Sequence, residues 1–259
     1  MSKHQKAKIM RKLSILVVAF VTSTLVQAQA DYTKALTGIE WVKIESKADI
    51  TLKTQTSNEI RIKGSKDTKV NEKAKGLRLV GEGGSDNTEV GFYVVQDGNT
   101  LIVKNLRRSE GAIIYLPKGQ NVSVKSTWNG HIKIDGFSGE VEADAQLNGS
   151  IEISNVNGPV TANALNGEIT VDFATVKQGS PISIYTTNDD VEVMLPANTP
   201  ADLQLGTVNG DIYTNFELKR EMKDGLTSIS DRKISASINN GGVKISLKST
   251  NGNIYLRKQ

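Results

Sequence analysis

Residues 128–171 read WNGHIKIDGFSGEVEADAQLNGSIEISNVNGPVTANALNGEITV, and the rhythm of this stretch decides the architecture. A turn pair, Asn-Gly or Ser-Gly, begins at Asn129, Ser138, Asn148, Asn157 and Asn166, in steps of 9, 10, 9 and 9 residues. One residue after each pair comes an apolar–polar–apolar triplet, as in Ile132-Lys133-Ile134, Ile151-Glu152-Ile153 and Ile169-Thr170-Val171. Period-two alternation describes a strand with one buried face. Asn and Gly tolerate positive φ, so the turns are expected to use that freedom.

A half-buried strand every nine or ten residues fits either a meander of antiparallel hairpins or a solenoid whose strands stack coil upon coil. Two features favour the solenoid. Every unit has the same polarity, turn first and strand second. Beyond Asn166 the Asn-led turns recur at Asn188, Asn209 and Asn251, in steps of 22, 21 and 42 residues. These predict one, one and two coils of about twenty residues each. Stacking like positions along the axis would set Ile on Ile and Val, and Asn amides in a ladder.

Working outward, residues 1–30 read as a secretory signal. Lys3, Lys6, Lys8, Arg11 and Lys12 precede an apolar run from Leu13 to Val26, and Ala28-Gln29-Ala30 is an A-x-A cleavage triplet. Cleavage between Ala30 and Asp31 is expected. The whole chain has 32 basic and 28 acidic residues, and all five charges of the first thirty are basic, so the mature chain carries 27 and 28. No net field draws it to nucleic acid or anionic lipid. No second apolar stretch is long enough to anchor it stably in a membrane. There is no cysteine, which removes disulfides, thiol catalysis and lipoprotein acylation.

Residues 31–259 are expected to form one β-solenoid domain, with irregular early coils over 39–116 and regular coils over 117–256. A separate small β domain ending near Pro117 is the alternative. Early strands are read at Trp41–Ile44, Asp49–Leu52, Ile60–Ile62, Leu77–Val80, Phe92–Val95, Leu101–Val103 and Ile113–Leu116. Residues 64–76 and 217–233 break the rhythm and are expected to be loops. The rod's exposed ends need protection, for which Arg257 and Lys258 at one end and Thr33 to Gly38 at the other are candidates.

A longer duplication joins the halves. Leu116-Pro117, Val122-Ser-Val124 and Thr127-Trp-Asn129-Gly130-His-Ile132 are echoed by Leu195-Pro196, Ala201-Asp-Leu203 and Thr207-Val-Asn209-Gly210-Asp-Ile212. With the closing Gly241-Gly242-Val243 strand and Thr250-Asn251-Gly252-Asn-Ile254-Tyr-Leu256, this pattern resembles a bacterial β-strand-repeat family of unknown function labelled "putative adhesin". The resemblance runs from about Ile39 to Leu256. It implies an all-β, right-handed, mostly parallel β-solenoid, exported to the periplasm, cell envelope or exterior. It supplies no catalytic residues.

Chemistry is sparse. His131 is the one histidine beyond the signal, at a position where other units carry Glu, Ser, Pro or Asp; a His-centred triad or zinc site is not expected. Acids gather at Asp135, Glu140, Glu142, Asp144, Glu152, Asp189 and Asp190. β-Helix enzymes that cleave polysaccharides use such carboxylates, but outward strand positions are ordinarily solvated surface. No cofactor or metal is expected. Trp128, Tyr185, Tyr213 and Tyr255 lie in or beside repeat strands and are the candidate binding residues, since exposed rings stack on sugars. The expectation is therefore an exported, non-catalytic, surface-presenting protein with an envelope protein or glycan as partner. A polysaccharide-acting enzyme and a partner of an envelope stress or signalling system are the alternatives.

Overall fold

The computed structural model describes residues 31–63, 72–74, 76–220, 222–223, 226–227 and 232–259. The signal read over 1–30 lies outside them, as do parts of 64–76 and 217–233.

The regular middle of the chain shuttles between two sheets. β10 (Asn121–Ser126), β12 (Val141–Ala145), β14 (Val160–Ala164) and β16 (Ile182–Asn188) belong to an eleven-stranded sheet; β11 (Ile132–Asp135), β13 (Ile151–Val156), β15 (Ile169–Phe173) and β17 (Val191–Leu195) belong to a ten-stranded one. Neighbours within each sheet are parallel. Partners lie 19 residues apart across β10/β12, β12/β14 and β11/β13, 18 across β13/β15, and 22 across β14/β16 and β15/β17. The nine-residue unit of the sequence is thus half a turn of winding, and two units return the chain to the same sheet. Neighbouring strands are not arranged as a closed antiparallel barrel.

The alternation sends one residue in two inward. The ten-stranded sheet contributes Ile132, Ile134, Ile151, Ile153, Ile169 and Val171, and the other sheet contributes Val122, Val124, Val141, Ala143, Val160 and Ala162, all buried. Phe137, Val156 and Phe173 are fully buried in the same core. Each such Ile or Val removes enough apolar surface from water to stabilise by about 1.5–3 kcal/mol.

The turns work differently from the sequence expectation. None of Gly130, Gly139, Gly149, Gly158, Gly167, Gly210 and Gly252 has positive φ, and neither do the Asn residues before them. What these glycines supply is closeness. A Cβ on Gly149 would run into the carbonyl oxygen of Gly130, on Gly167 into that of Gly149, and on Gly158 into that of Gly139. The coils stack so tightly at both edges that only a residue without a side chain fits. The asparagines supply a ladder: Asn148 Nδ2 donates to Asn129 Oδ1 at 3.0 Å, Asn166 to Asn148 at 3.1 Å and Asn188 to Asn166 at 2.7 Å.

At both ends, chain order and spatial order part company. β2 (Trp41–Ser46) and β3 (Ile50–Gln55) are followed by β4 (Glu59–Ile62), the short hairpin β5 (Val80–Gly81) and β6 (Gly84–Ser85), then β7 (Phe92–Asp97), β8 (Thr100–Asn105) and β9 (Ala112–Pro117). Yet β2 lies between β8 and β10, and β3 between β9 and β11, all parallel. The sheets therefore run unbroken across Pro117. At the other end come β18 (Ala201–Thr207), β19 (Ile212–Thr214), β20 (Lys219–Arg220), β21 (Met222–Lys223), β22 (Leu226–Thr227), β23 (Lys233–Ile238), β24 (Val243–Asn251) and β25 (Ile254–Lys258). Here β24 is inserted between β16 and β18, and β25 between β17 and β19.

This corrects the two-coil reading of the 42-residue step. Asn251 sits beside Asn188, to which it donates at 2.7 Å, and accepts from Asn209 at 2.8 Å. The ladder therefore runs 129, 148, 166, 188, 251, 209.

The antiparallel pairs of the two large sheets gather at the ends. β7 closes on β8, β4 on β9, and β23 on β18 and β20. β1 (Tyr32–Ala35) pairs with β4 at the edge of the ten-stranded sheet, where Thr33 was expected to shield it. Arg257 and Lys258 do not guard the opposite end; they lie on β25, inside the sheet. Two other expectations change. Only Val80 of the 77–80 candidate is strand, as the first residue of β5, with Leu77 exposed, and 217–233 contributes the edge strand β20 in place of a plain loop. Among the described residues no helix is long and apolar enough to cross a membrane.

Candidate functional site: the outer faces of the sheets

Because alternate residues point outward, the two outer faces and the turn edges are where the polar and aromatic side chains meet solvent. The structure places the four aromatic candidates on three different surfaces.

Tyr213 and Tyr255 come together. They occupy the same register position on neighbouring strands β19 and β25, and their rings stack with centroids 5.2 Å apart and planes 10° from parallel. Parallel in-register strands make this inevitable, since equivalent side chains stand about 4.8 Å apart along the sheet. The Tyr213 hydroxyl donates to Asp211 Oδ2 at 3.2 Å, and the adjacent carboxylate holds its proton on, raising its pKa. The Tyr255 hydroxyl accepts from Asn253 Nδ2 at 3.2 Å, and the Arg257 guanidinium lies 5.6 Å from that ring's centre. Tyr213 is half exposed, and β19 is the last strand of its sheet, so among the described residues no further strand covers its outer ring face.

Tyr185 is on the outer face of the other sheet. It closes one side of a shallow open trough whose floor and walls include Lys125, Glu142, Asp144, Gln146 and Asn163. Hydrogen bonds with the Thr187 and Thr250 hydroxyls, at 3.2 and 3.1 Å, favour the phenolate and lower its pKa. Trp128 is 57% exposed, on the turn edge beside Asn129, at the opposite end of the Asn ladder from Tyr213. Five strand spacings separate β11 from β19, roughly 24 Å. No single ligand-sized site uses all four rings.

The acids are also divided. Glu142 and Asp144 face out from the eleven-stranded sheet, and Asp135 and Glu152 from the ten-stranded one, with the core between them. Glu152 is paired with Lys133 at 2.6 Å, while Asp135 accepts from Ser154 Oγ at 2.9 Å and Asn155 Nδ2 at 2.8 Å. Asp189 and Asp190 lie on the ladder edge near Glu168. Partial burial, and then the charges of Asp189, Glu192 and Asp190, keep the Glu168 carboxyl above the usual carboxylate range. Among the described residues no group of three or more His, Asp or Glu side chains is disposed to hold a metal.

His131 is exposed, with Nδ1 2.7 Å from Ser150 Oγ, and the Ser150 backbone N–H also donates to Nδ1 at 3.2 Å. Asp49 accepts from the His131 backbone N–H at 2.8 Å, a bond to the main chain and not to the ring. Ser and His touch, but the one carboxylate bond described at His131 goes to its backbone, not to the ring as a triad requires.

Sequence reasoning named the tyrosines but missed Asp211 and Asn253, which fix the hydroxyls. The signal was present: Asn209-Gly-Asp-Ile-Tyr213 and Asn251-Gly-Asn-Ile-Tyr255 are near-copies, and both place a polar acceptor or donor two residues before the ring.

Two solved structures are similar in outline. One is described as a putative cell adhesion protein from Clostridium sporogenes ATCC 15579, with 9% identity, TM-score 0.48, and coverage of 89% of this chain and 99% of that one. The other is a putative adhesin from Bacteroides fragilis NCTC 9343, with 10% identity, TM-score 0.37, and coverage of 89% and 96%. No curated protein matches the chain. The family model described as Toastrack DUF4097 matches residues 118–257, more than half of the sequence, and the chain belongs to that family.

Proposed function

We propose that the protein is an exported, non-catalytic, right-handed β-solenoid of the bacterial envelope that works as an adhesin-like presenter of surface, with the end of the ten-stranded sheet as its binding face. The observation that carries this is the Tyr213–Tyr255 stack: two hydroxyl-anchored rings, one with an uncovered face, at the limit of a rigid sheet. A rigid aromatic plane flanked by Asp211, Asn253 and Arg257 offers a sugar ring both an apolar face and hydrogen-bond partners. A glycan is therefore the ligand class. The enzyme alternative has less to support it on the ten-stranded sheet, where Asp135 is engaged by Ser154 and Asn155 and Glu152 by Lys133, and neither stands free to act across a glycosidic bond.

A glycan array probed with residues 31–259 tests the reading. Binding that falls at least about tenfold in Tyr213→Ala, and persists in Trp128→Ala, supports it. Absence of binding to any glycan overturns the ligand class, and release of reducing ends overturns the non-catalytic role.

A further inference from the structure

The inserted C-terminal coil has a consequence for assembly. β18–β19 follow β16–β17 in the chain, yet the two pairs share no ladder; the space between them is one strand wide in each sheet and is filled by residues 243–258. The fit is specific. Val243, Ile245, Leu247, Ile254 and Leu256 are buried there, Asn251 completes the amide ladder, and Gly252 allows the backbone to pass against Asp189.

The tether to this coil is short and strained. β23 ends opposite Ala201 on one side of β18, and β24 begins opposite the same Ala201 on the other side. Residues 239–242 must arch over the entry to β18. They do so with Asn239, Asn240 and Gly241 at φ of 48°, 72° and 78° in succession. Asn239 is pinned by its side-chain amide to the carbonyls of Ala197 and Thr199, at 2.9 and 2.8 Å. Asn pays less for these angles than other side chains with a Cβ, but three left-handed residues in a row still hold the arch in a conformation that an extended linker would leave. A short hinge under strain next to an element that makes mostly non-local contacts is the setting in which identical elements exchange between copies.

We propose that the coil 243–258 is exchangeable, and that the gap between β16–β17 and β18–β19 accepts the same segment of a second copy of this chain. Opening the 239–242 arch relieves its left-handed residues, while every ladder, core and Asn contact is remade with the partner. In the exchanged form Tyr213 of one copy stacks on Tyr255 of the other, so the aromatic face would be built from two chains.

The absence of cysteine allows a direct test. Ser183 and Ser246 are register partners on β16 and β24. Chains of residues 31–259 carrying only Ser183→Cys or only Ser246→Cys are mixed, refolded together at high concentration and oxidised. A covalent dimer that requires both chains is the expected result, with the double variant closing its bond within one chain at low concentration. Asn240→Val, which worsens the arch, should raise the dimerisation constant by about five- to thirtyfold per hinge, and Asn240→Gly should lower it. A mixture that stays uncrosslinked while the double variant closes internally overturns the proposal. So do covalent dimers formed equally well by either single variant alone, because those report collision and not exchange.

Discussion

The middle of the molecule and its two ends are built from the same half-coil unit and obey different rules of connection. From β12 to β17 each strand lies beside the one two steps earlier in the chain, so local sequence and local structure coincide. At the N-terminal end β2–β3 are overtaken by β8–β9, and at the C-terminal end β24–β25 slip in ahead of β18–β19. In both cases an early or late coil is held between two others; three of the four outermost places carry antiparallel strands, and the fourth is β19, parallel to β25. The difference teaches that the repeat specifies which faces and edges can stack, not which coil stacks on which. An Asn-Gly pair from any coil completes the ladder equally well, as Asn251 does between Asn188 and Asn209. Insertion also gives the chain's last coil two neighbours, where the last coil of a simple solenoid has one, and leaves β19 at the sheet's limit instead.

The sharpest way to break the comparison is to ask whether the inserted coil is as integral as the middle. Ile153 is stacked between Ile134 and Val171, and Ile245 between Ile182 and Leu203; both are 1% exposed or less. Ile153→Ala and Ile245→Ala should each cost about 2–5 kcal/mol in urea unfolding, with equal slopes. A much smaller loss at Ile245, with fast amide exchange in β24, would mean that the C-terminal coil opens independently and that its two-sided pairing does not bind it to the whole.

A second comparison concerns the glycines. A Cβ on Gly149 meets the Gly130 carbonyl oxygen and a Cβ on Gly252 meets that of Asp189, so in both places backbone must move. Gly149→Ala and Gly252→Ala should each destabilise by about 1–3 kcal/mol. Gly119→Ala is the control: nothing lies within 4 Å of its Cβ position and its φ is not positive. It should leave the melting curve unchanged or raise it slightly. Equal effects at all three positions would show that loss of glycine entropy, and not coil spacing, sets the response.

How much of this was legible beforehand follows from what a linear pattern can encode. The inward set Ile132, Ile134, Ile151 and Ile153 is visible because burial has period two along the chain. The Asn ladder is visible because in-register stacking places identical residues on one another. The role of the glycines was misread, since sequence shows that glycine is required but not whether backbone angle or backbone proximity requires it. The insertion of β24–β25 was illegible for a deeper reason. Val243, Ile245 and Leu247 would satisfy either face of any coil, so the choice between neighbours lies in long-range pairing and in the reach of the 239–242 arch. The aromatic site was half legible: Tyr213 and Tyr255 stood out as residues, but their contact depends on the insertion. Without it, β19 would have β17 as its neighbour and Tyr213 would face Glu192.

The smallest expected effect is also the one that adds stability. Between Gly167 and Gly252 in the glycine column stands Asp189, which follows the ladder residue Asn188. It meets the crowding that excludes Cβ elsewhere by taking φ of 143°, a conformation that side-chain-bearing residues avoid. Its carboxylate also stands among Glu168, Asp190 and Glu192, and with partial burial helps hold the Glu168 carboxyl above its usual range. Asp189→Gly removes both penalties, at the loss of the hydrogen bond that Asp189 Oδ1 accepts from the Asp190 N–H at 2.9 Å. A net gain of about 1 kcal/mol is expected near neutral pH. Asp189→Asn keeps the Cβ and removes only the charge, so it should recover no more than ~0.5 kcal/mol. If thermal unfolding gives the two variants the same gain, charge crowding dominates at this step. If only the glycine variant gains, the middle of the rod has one place where the repeat is broken at a cost in backbone strain.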